Sequence, residues 1–325
     1  MVDVFAVIVI CVVSAAATFF TIPASIWFSR RAGAVGLDVH KPKPYEVPKL
    51  GGLALAAGIS SAMIVYWLLT GTSPIFTLFA TTFTALAIGL FEDFREINPI
   101  LKPLLISLAG IPFLVAGTYS PNPELPFIGT TRLTIVYPFL ILVGFAVVCN
   151  AVNSIDVLNG SMALTSLFAL LPLAVVSLVE GKTEVFILSL ATMVSLSVFL
   201  TKNYYPAKTF AGNVGSLYIG AVITYIAIVG RMEVVAIVAL MPQIMNEFHI
   251  IYSMRGLKSG KNTAVRPTVL NGSYIQANPD RRAAVTLLRM LTAGSRLTEK
   301  QAVNGLAFLS LYSSFLALLT YFLLM

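Results

Sequence analysis

FTLFATTFTALAIGLFED (residues 76–93) is an apolar run, interrupted only by threonine and glycine, that ends in two adjacent carboxylates. Such a run is typical of a helix inside a membrane. Glu92 and Asp93 follow at the point where this helix would leave the bilayer. Two like charges side by side at that depth are costly unless something uses them. The stretch therefore predicts a membrane-spanning helix whose end is a candidate functional site.

The whole chain has the composition of a membrane protein. Its 325 residues are 58% hydrophobic and 11% charged, with a mean hydropathy of +0.89, whereas a soluble domain carries about 25% charged residues. The two cysteines and two histidines are not expected to form a structural zinc site, because Cys11 and Cys149 lie in different apolar segments. We predict an all-α polytopic membrane protein that forms a single domain over residues 1–325. Because a span needs about 20 apolar residues, ten transmembrane helices are expected, at residues 4–28, 50–70, 74–91, 101–117, 134–152, 161–179, 184–200, 214–230, 232–252 and 303–325.

Lysine and arginine orient the predicted bundle. With the N-terminus outside, 18 of the 21 fall in inside connections, and only Arg132, Lys182 and Arg231 lie outside. This asymmetry follows the positive-inside rule and predicts that both termini and the 118–133 loop are outside. The net charge of +7 then belongs to the cytoplasmic face, where it favours anionic headgroups or phosphates over nucleic acid. The predicted inside loops are residues 29–49, 92–100, 153–160, 201–213 and 253–302.

The inside loops also hold the unusual polar residues, in FEDFREINPILK (91–102), CNAVNSIDVLNG (149–160) and TKNYYPAKTFAGNVGS (201–216). Carboxylate and amide oxygens hold Mg²⁺, and lysines neutralise phosphates, so together these groups suit a Mg²⁺-diphosphate site. Each cluster alone has a structural explanation: a solvated helix end, Asn caps with a Gly stop, topology-setting lysines, or close helix packing. A transporter would instead place ionisable residues near the bilayer midplane, where only Glu247 falls.

The order and spacing of these motifs resemble the polyprenyl-phosphate N-acetylhexosamine-1-phosphate transferases, glycosyltransferase family 4. IGLFEDFREINPILK (88–102) resembles the family's Asp-Asp segment, with a lysine nine residues after the second acid. NAVNSIDVLNG (150–160) is similar to its Asn-rich motif, and YYPAKTFAGNVGSLYIG (204–220) to its Pro-Ala-Lys-x-Phe-x-Gly-Asp-x-Gly-Ser segment. MPQIMNEF (241–248) and VRPTVLNG (265–272) look like the UDP-GlcNAc:dolichyl-phosphate GlcNAc-1-phosphate transferase branch.

The resemblance implies a site on the cytoplasmic face of the membrane. Its implied catalytic residues are Asp93, Glu92 and Lys102. The implied substrate-binding residues are Lys41, Asn153, Asp156, Asn159, Lys208, Phe210 and Arg266. The metal, Mg²⁺ or alternatively Mn²⁺, is expected on Asn213, Asn153 and Asp93.

Two residues depart from the family pattern. Glu92 replaces the first Asp of the pair, which keeps the charge on a longer arm. Asn213 replaces the metal-binding Asp of the Phe-x-Gly-Asp segment, so that a neutral oxygen stands where relatives carry an anion. We therefore expect Mg²⁺ to bind this chain less tightly without a substrate diphosphate than it binds relatives with Asp.

The implied reaction is transfer of N-acetylhexosamine 1-phosphate, GlcNAc 1-phosphate in the closest branch, from a UDP-sugar to a polyprenyl or dolichyl phosphate. UMP would leave, and lipid-linked oligosaccharide assembly for glycosylation would begin. The alternatives are an undecaprenyl-phosphate enzyme of bacterial cell-envelope synthesis and an inactive lipid-binding or transport homologue. The expected partners are the UDP-sugar and the lipid phosphate, with no nucleic acid, and a homodimer is left open.

The last inside loop contains NPDRRAAVTLLRMLTAG (278–294). Asn278 is a good helix cap, Pro279 suits the first helical position, and three arginines punctuate the apolar residues. This pattern predicts a short amphipathic helix lying on the anionic inner membrane surface.

Overall fold

The computed structural model describes residues 4–71, 74–257 and 265–324. Lys258 and Lys261, two of the predicted inside charges, lie outside these residues. The helices are α1 (Val4–Arg31), α2 (Gly52–Thr70), α3 (Ile75–Phe94), α4 (Leu101–Ser107), α5 (Ile111–Ala116), α6 (Tyr137–Ser154), α7 (Ser161–Val179), α8 (Thr183–Asn203), α9 (Gly212–Val229), α10 (Glu233–Ala239), α11 (Met241–Ser253), α12 (Leu287–Leu291) and α13 (Glu299–Leu324).

Among the described residues, three short antiparallel hairpins lie in the connections between helices. They are β1 (Val35–Asp38) with β2 (Tyr45–Pro48), β3 (Glu124–Leu125) with β4 (Gly129–Thr130), and β5 (Thr268–Asn271) with β6 (Tyr274–Ala277). In the first hairpin Val35 pairs with Pro48 and Asp38 with Tyr45. The hairpins lie in the connections between spans, so the bundle itself is all-α, as predicted.

Within the described ranges, eight helices are long and apolar enough to cross a membrane, namely α1, α2, α3, α6, α7, α8, α9 and α13. They match eight of the ten predicted spans. The remaining two predicted spans are helical but interrupted. The chain is therefore a multi-pass helical membrane protein.

The predicted span 232–252 is a pair of helices, α10 and α11, that meet at an angle of 68°. Pro242, in the first turn of α11, has no N–H to offer the carbonyl of Val238 one turn earlier. That carbonyl instead accepts a hydrogen bond of 2.6 Å from the Ser313 hydroxyl on α13. A proline and a serine on a neighbouring helix thus account for the bend.

The predicted span 101–117 is shorter than a full crossing and consists of α4, a 3₁₀ turn (Leu108–Gly110) and α5. Pro112 lies in the first turn of α5, and its missing N–H again interrupts the α-helical ladder. Gly110 packs against α6, where an added Cβ would come within 3.0 Å of Leu142. The local sequence therefore favours a tight turn in the middle of this segment.

Helix α9 runs through the centre of the bundle, and 83% of its residues are buried. Its small residues allow this. A Cβ on Gly52 of α2 would lie 2.1 Å from the Cα of Gly215, and one on Gly89 of α3 would lie 2.4 Å from the carbonyl oxygen of Asn213. Small residues at the start of α9 therefore allow α2 and α3 to pack closely against it, as the structural explanation of this motif proposed.

The amphipathic helix predicted at 278–294 is wrong, because only α12 (Leu287–Leu291) is helical there. Asn278 does not cap a helix: its side chain donates to the carbonyl of Arg266 and accepts from the N–H of Asp280. The Arg289 guanidinium donates to the backbone carbonyls of Asn278 and Asp280 at 2.8 and 2.9 Å. These bonds hold the preceding chain as a loop, and Thr286 caps the short helix.

Candidate active site

A cavity of about 280 Å³ lies where the ends of α3 and α6 meet the start of α9 and the first hairpin. Most of the polar residues that line it come from the predicted inside loops. They are Asp38, His40, Lys49, Asp93, Asn153, Asp156, Asn159 and Asn213, with Phe210 among the apolar residues. Six predicted site residues therefore share one cavity: Asp93, Asn153, Asp156, Asn159, Phe210 and Asn213.

Asp93, nearly fully buried, joins the end of α3 to the start of α9. One carboxylate oxygen accepts hydrogen bonds from the backbone N–H of Asn213 at 3.1 Å and from its side-chain amide at 3.2 Å. The other accepts from the N–H of Val214 at 3.0 Å. The carboxylate thus satisfies free amides at a positive helix end. Gly212 has φ 69°, and a Cβ there would come within 2.6 Å of the same carboxylate.

Lys102 lies between Glu92 and Asn213. Its ammonium lies 2.8 Å from the carboxylate of Glu92 and 3.4 Å from the side-chain oxygen of Asn213. Glu92 and Lys102 are both largely buried and do not line the cavity directly. The acid pair, the lysine and Asn213 therefore form one connected group at the junction of α3, α4 and α9.

The last turn of α6 supplies Asn153 to the cavity, and the turn between α6 and α7 supplies Asp156. The side-chain oxygen of Asn153 accepts a hydrogen bond of 2.7 Å from the hydroxyl of Ser216 on α9. Burial, with the nearby charge of Asp93, raises the pKa of Asp156 to about 7. A cation bound in the cavity would stabilise the ionised form of such a carboxyl group.

A second polar group, buried beside the cavity, contains Lys41. Its ammonium pairs with Asp38 at 3.0 Å and with Glu299 at the start of α13, and it lies 4.4 Å from the centre of the Tyr205 ring. Burial opposes the charge, but the hydrogen bonds to Glu299 and Asp38 outweigh it, and the pKa of Lys41 is raised. Lys41 is therefore a charged lysine held by two carboxylates.

The other two predicted substrate contacts lie outside the lining of the cavity. Lys208 is exposed on the segment before α9, and Arg266 is exposed before β5. Burial lowers the pKa of His40 to about 4; the charge of Asp38 opposes this shift, while Lys41 and Arg266 add to it. His40 is thus a neutral group in the wall, and Arg266 lies near enough to act on it.

The sequence interpretation missed Asp38, Lys49 and Glu299. Lys49 donates from its ammonium to the backbone carbonyl of Asp93 at 3.0 Å. Asp38 stands three residues before Lys41, a spacing that could have suggested the ion pair. Glu299 carried no such signal, because an acid in the first turn of a helix is an ordinary stabilising choice.

The oxygen ligands around the cavity suit a hard cation, but they do not form a complete cage. Among the described residues, no group of three or more His, Cys, Asp and Glu side chains is arranged to hold a metal ion. Mg²⁺ commonly takes one or two protein oxygens and completes its shell with water and substrate phosphates. The mixed acid and amide set of Asp93, Asn153 and Asn213 therefore fits a Mg²⁺ ion that arrives with a diphosphate.

Comparison with known proteins identifies the family of this chain. The sequence profile described as Glycosyl transferase family 4 matches residues 75–231, which include Asp93, Asn153 and Asn213. A Saccharolobus solfataricus protein, provisionally named UDP-N-acetylglucosamine–dolichyl-phosphate N-acetylglucosaminephosphotransferase, is 31% identical over 255 residues, 75% of this chain and 78% of its own.

Two bacterial proteins are also similar. One, from Bacillus subtilis, is provisionally named undecaprenyl-phosphate N-acetylglucosaminyl 1-phosphate transferase and is 29% identical over 60% of this chain and 54% of its own. The phospho-N-acetylmuramoyl-pentapeptide-transferase of a Nitratiruptor species is 27% identical over 74% of this chain and 76% of its own. This chain therefore belongs to glycosyl transferase family 4, as its motifs predicted, and is a membrane transferase of that family.

Proposed function

We propose that this protein transfers N-acetylhexosamine 1-phosphate, specifically GlcNAc 1-phosphate, from a UDP-sugar to a polyprenyl phosphate of the dolichyl type. UMP is released, and the lipid-linked sugar begins oligosaccharide assembly for glycosylation. The observation that carries the proposal is the single cavity in which Asp93, Asn153, Asp156 and Asn213 meet at the ends of membrane-spanning helices. The name of the Saccharolobus relative supports the choice of donor and acceptor.

In the proposed reaction, an oxygen of the lipid phosphate attacks the β-phosphorus of the UDP-sugar. The new P–O bond replaces the bond to the bridging oxygen, which leaves with UMP. A phosphate monoester with a second pKa of about 6 is already largely ionised at neutral pH. The chain therefore needs to align and neutralise phosphates more than to remove a proton.

Asp93 is suited to positioning, because both of its oxygens already hold the start of α9. Through those bonds it fixes Asn213, whose side-chain oxygen faces the ammonium of Lys102. Lys102 is then placed to pair with a phosphate oxygen, while Glu92 holds the lysine from the other side. Mg²⁺, held by Asn213 with Asn153 or Asp93, would withdraw charge from the diphosphate when bound.

A transfer assay with purified protein tests the proposal. UDP-GlcNAc, Mg²⁺ and dolichyl phosphate are expected to give UMP and a lipid that carries GlcNAc diphosphate, which mass spectrometry identifies. Absence of lipid product with every UDP-N-acetylhexosamine and both lipid phosphates would contradict the proposal and favour an inactive homologue. Preference for undecaprenyl over dolichyl phosphate would instead favour the bacterial reaction suggested by the name of the Bacillus relative.

We also propose ten crossings, with both termini outside and the cavity open to the cytoplasm. The distribution of lysine and arginine supports this orientation. In a background with Cys11 and Cys149 changed to Ser, single cysteines at Thr130 and Ser295, both exposed, provide the test. An impermeant thiol reagent added to sealed cells should label the first and spare the second. Labelling only at position 295 would reverse the proposed orientation.

A further inference from the structure

Four buried residues form a closed ring of hydrogen bonds and ion pairs beside the cavity. The Glu299 carboxylate accepts the backbone N–H of Asn159 at 3.1 Å and binds the ammonium of Lys41. Lys41 also pairs with Asp38 at 3.0 Å, and the side-chain amide of Asn159 donates to the same Asp38 oxygen at 3.0 Å. All four residues are between 2% and 7% exposed.

The ring ties three distant parts of the chain to one wall. Asp38 and Lys41 belong to the first hairpin region, Asn159 to the turn between α6 and α7, and Glu299 to the first turn of α13. Asp38 and Asn159 line the cavity, whereas Lys41 and Glu299 lie behind them. Glu299 is therefore placed to act on a ligand through Asn159 rather than by contact.

The ring also fixes which atom Asn159 offers to the cavity. A carboxylate only accepts hydrogen bonds, so the group of Asn159 that faces Asp38 must be its NH₂. Among the described residues, the side-chain oxygen of Asn159 has no such partner and remains available. A ligand that meets Asn159 must then supply a hydrogen-bond donor.

Charge indicates which part of a nucleotide sugar lies there. The ring contains two carboxylates and one ammonium, so it is negative overall and disfavours a phosphate. At the junction of α3, α4 and α9, the ammonium groups of Lys49 and Lys102 offset the charges of Glu92 and Asp93, and the positive start of α9 favours a phosphate there. The neutral base is the part that suits the ring. At its third position uracil presents an N–H donor, whereas cytosine presents an unprotonated nitrogen there and carries its donor on the neighbouring 4-amino group. An amide oxygen that faces the third position therefore pairs with uracil and is repelled by the nitrogen of cytosine.

We propose that Asp38 and Glu299 are positioning residues for the nucleobase: Asp38 directs the amide oxygen of Asn159 toward the cavity, and Glu299 holds the backbone N–H of the same residue, so that the site favours uracil over cytosine. This inference rests on the proposed function, because it assumes that a nucleotide sugar occupies the cavity. Glu299 itself touches no reacting atom.

Binding of UMP and CMP to the purified protein tests this, by calorimetry in detergent. In Glu299→Gln the side chain keeps its size, but its NH₂ group must face either the Lys41 ammonium or the Asn159 N–H. Loss of one such hydrogen bond should weaken UMP binding about 3- to 10-fold. The affinity for CMP should stay within about twofold of the wild-type value, so the ratio of UMP affinity to CMP affinity falls. In transfer, KM for UDP-GlcNAc should rise while kcat and KM for the lipid stay unchanged.

Glu233→Gln is a matched control. Glu233 also begins a helix and accepts a hydrogen bond, from the Tyr137 hydroxyl, at the opposite end of α6. It should lower thermal stability without altering the UMP-to-CMP ratio. Asp38→Asn is a second test variant, because an amide at position 38 no longer dictates the orientation of Asn159. It should narrow the ratio in the same way.

An unchanged UMP-to-CMP ratio in both Glu299→Gln and Asp38→Asn would overturn the positioning role, as would equal losses for the two nucleotides. So would wild-type protein that binds neither nucleotide. The transfer assay is read separately. A wild-type protein that prefers UMP, loses that preference in Glu299→Gln and transfers no sugar phosphate would refute the proposed function and leave the positioning role standing.

Discussion

Charged side chains gather at both ends of the helix bundle, but they do different things there. The cavity end holds the last turn of α6 and the first of α9. The hairpin end, with β3 and β4, holds the first turn of α6 and the last of α9. At the hairpin end Lys182 donates to the carbonyl of Gly230 at 2.5 Å and pairs with Glu180, while Arg231 donates to the carbonyl of Asn122 at 2.9 Å.

At the cavity end the same residue types surround a space. Asp93 ties helix ends together as the hairpin-end residues do, yet it also lines the cavity with Asn153, Asp156 and Asn213. The difference shows that a helix-end charge has a structural use wherever it stands. A function is indicated when several such groups also present atoms to one shared cavity.

The largest effect that this comparison predicts is that of Asp93→Ala. It removes the acceptor of three hydrogen bonds at the start of α9 and displaces Asn213. Transfer should fall on the order of 10³-fold or more, because the phosphate-binding groups lose their placement. Glu233→Ala, which removes a carboxylate at the hairpin end, should leave transfer within about threefold.

Both variants should also lose thermal stability, because each leaves buried donors without an acceptor, at a cost of about 1–3 kcal/mol. The two measurements are UMP release and the melting temperature in detergent. Similar losses of transfer in the two variants at similar melting temperatures would end the distinction between the two ends.

A smaller loss is expected for Lys102→Ala. Removal of one charge-assisted contact to a phosphate in the transition state should cost roughly 2–4 kcal/mol, or about 30- to 1,000-fold in the rate of transfer. Arg95 is the nearby control, since it is exposed at the end of α3, and Lys182 is the control at the hairpin end. If Arg95→Ala or Lys182→Ala slowed transfer as much as Lys102→Ala, the assignment of Lys102 as a phosphate-binding residue would be refuted.

Asn213→Asp sharpens the comparison within the cavity end. The amide of Asn213 now donates to Asp93 at 3.2 Å, so a carboxylate at this position would face another carboxylate. We therefore expect this variant to melt at a lower temperature in EDTA than the wild type. With Mg²⁺ present the extra charge should help, lowering the concentration for half-maximal transfer by about tenfold.

The matching variant Asn213→Ala should nearly abolish transfer. The competing explanation of Asn213 as a helix cap has little support in the structure, because Ala211 occupies the cap position and Asp93 supplies the capping bonds. A Mg²⁺ titration of UMP release for the three proteins decides the matter. An unshifted midpoint in Asn213→Asp would refute the assignment of Asn213 as a metal ligand.

Much of the fold could be predicted from the sequence, since hydropathy marks each membrane segment without reference to its neighbours. Even α9, diluted by Ser, Thr and Gly, was found, and those residues let it occupy the centre of the bundle. The bend at Leu240 was missed, because it depends on Pro242 together with Ser313 from another helix. The helix at 278–294 was wrong because Arg289 bonds to backbone carbonyls that a helix would have used.

For the candidate site too, some residues could be predicted from sequence motifs and others depend on contacts between distant parts of the chain. The family resemblance implied Glu92, Asp93, Lys102 and Asn213 as site residues, and the structure brings these four side chains together. Glu299 could not be predicted, because nothing local links it to Asn159, which is 140 residues away. The motifs that carry the family resemblance do not include Glu299. Its contact with Asn159 is found only in the folded structure, once α13 is packed in place.

The smallest expected effect is that of Glu124→Gln at the hairpin end. Glu124 faces Arg231 at 3.5 Å, and each side chain is about one-third exposed. A pair this open to solvent contributes roughly 0–1 kcal/mol, because water and salt screen it. Arg231 keeps its hydrogen bond to Asn122, so nothing buried loses a partner. We expect a melting temperature within about 2 °C of the wild type and unchanged transfer. A clear change in KM for either substrate would mean that the hairpin end takes part in the reaction, and the contrast between the two ends would fail.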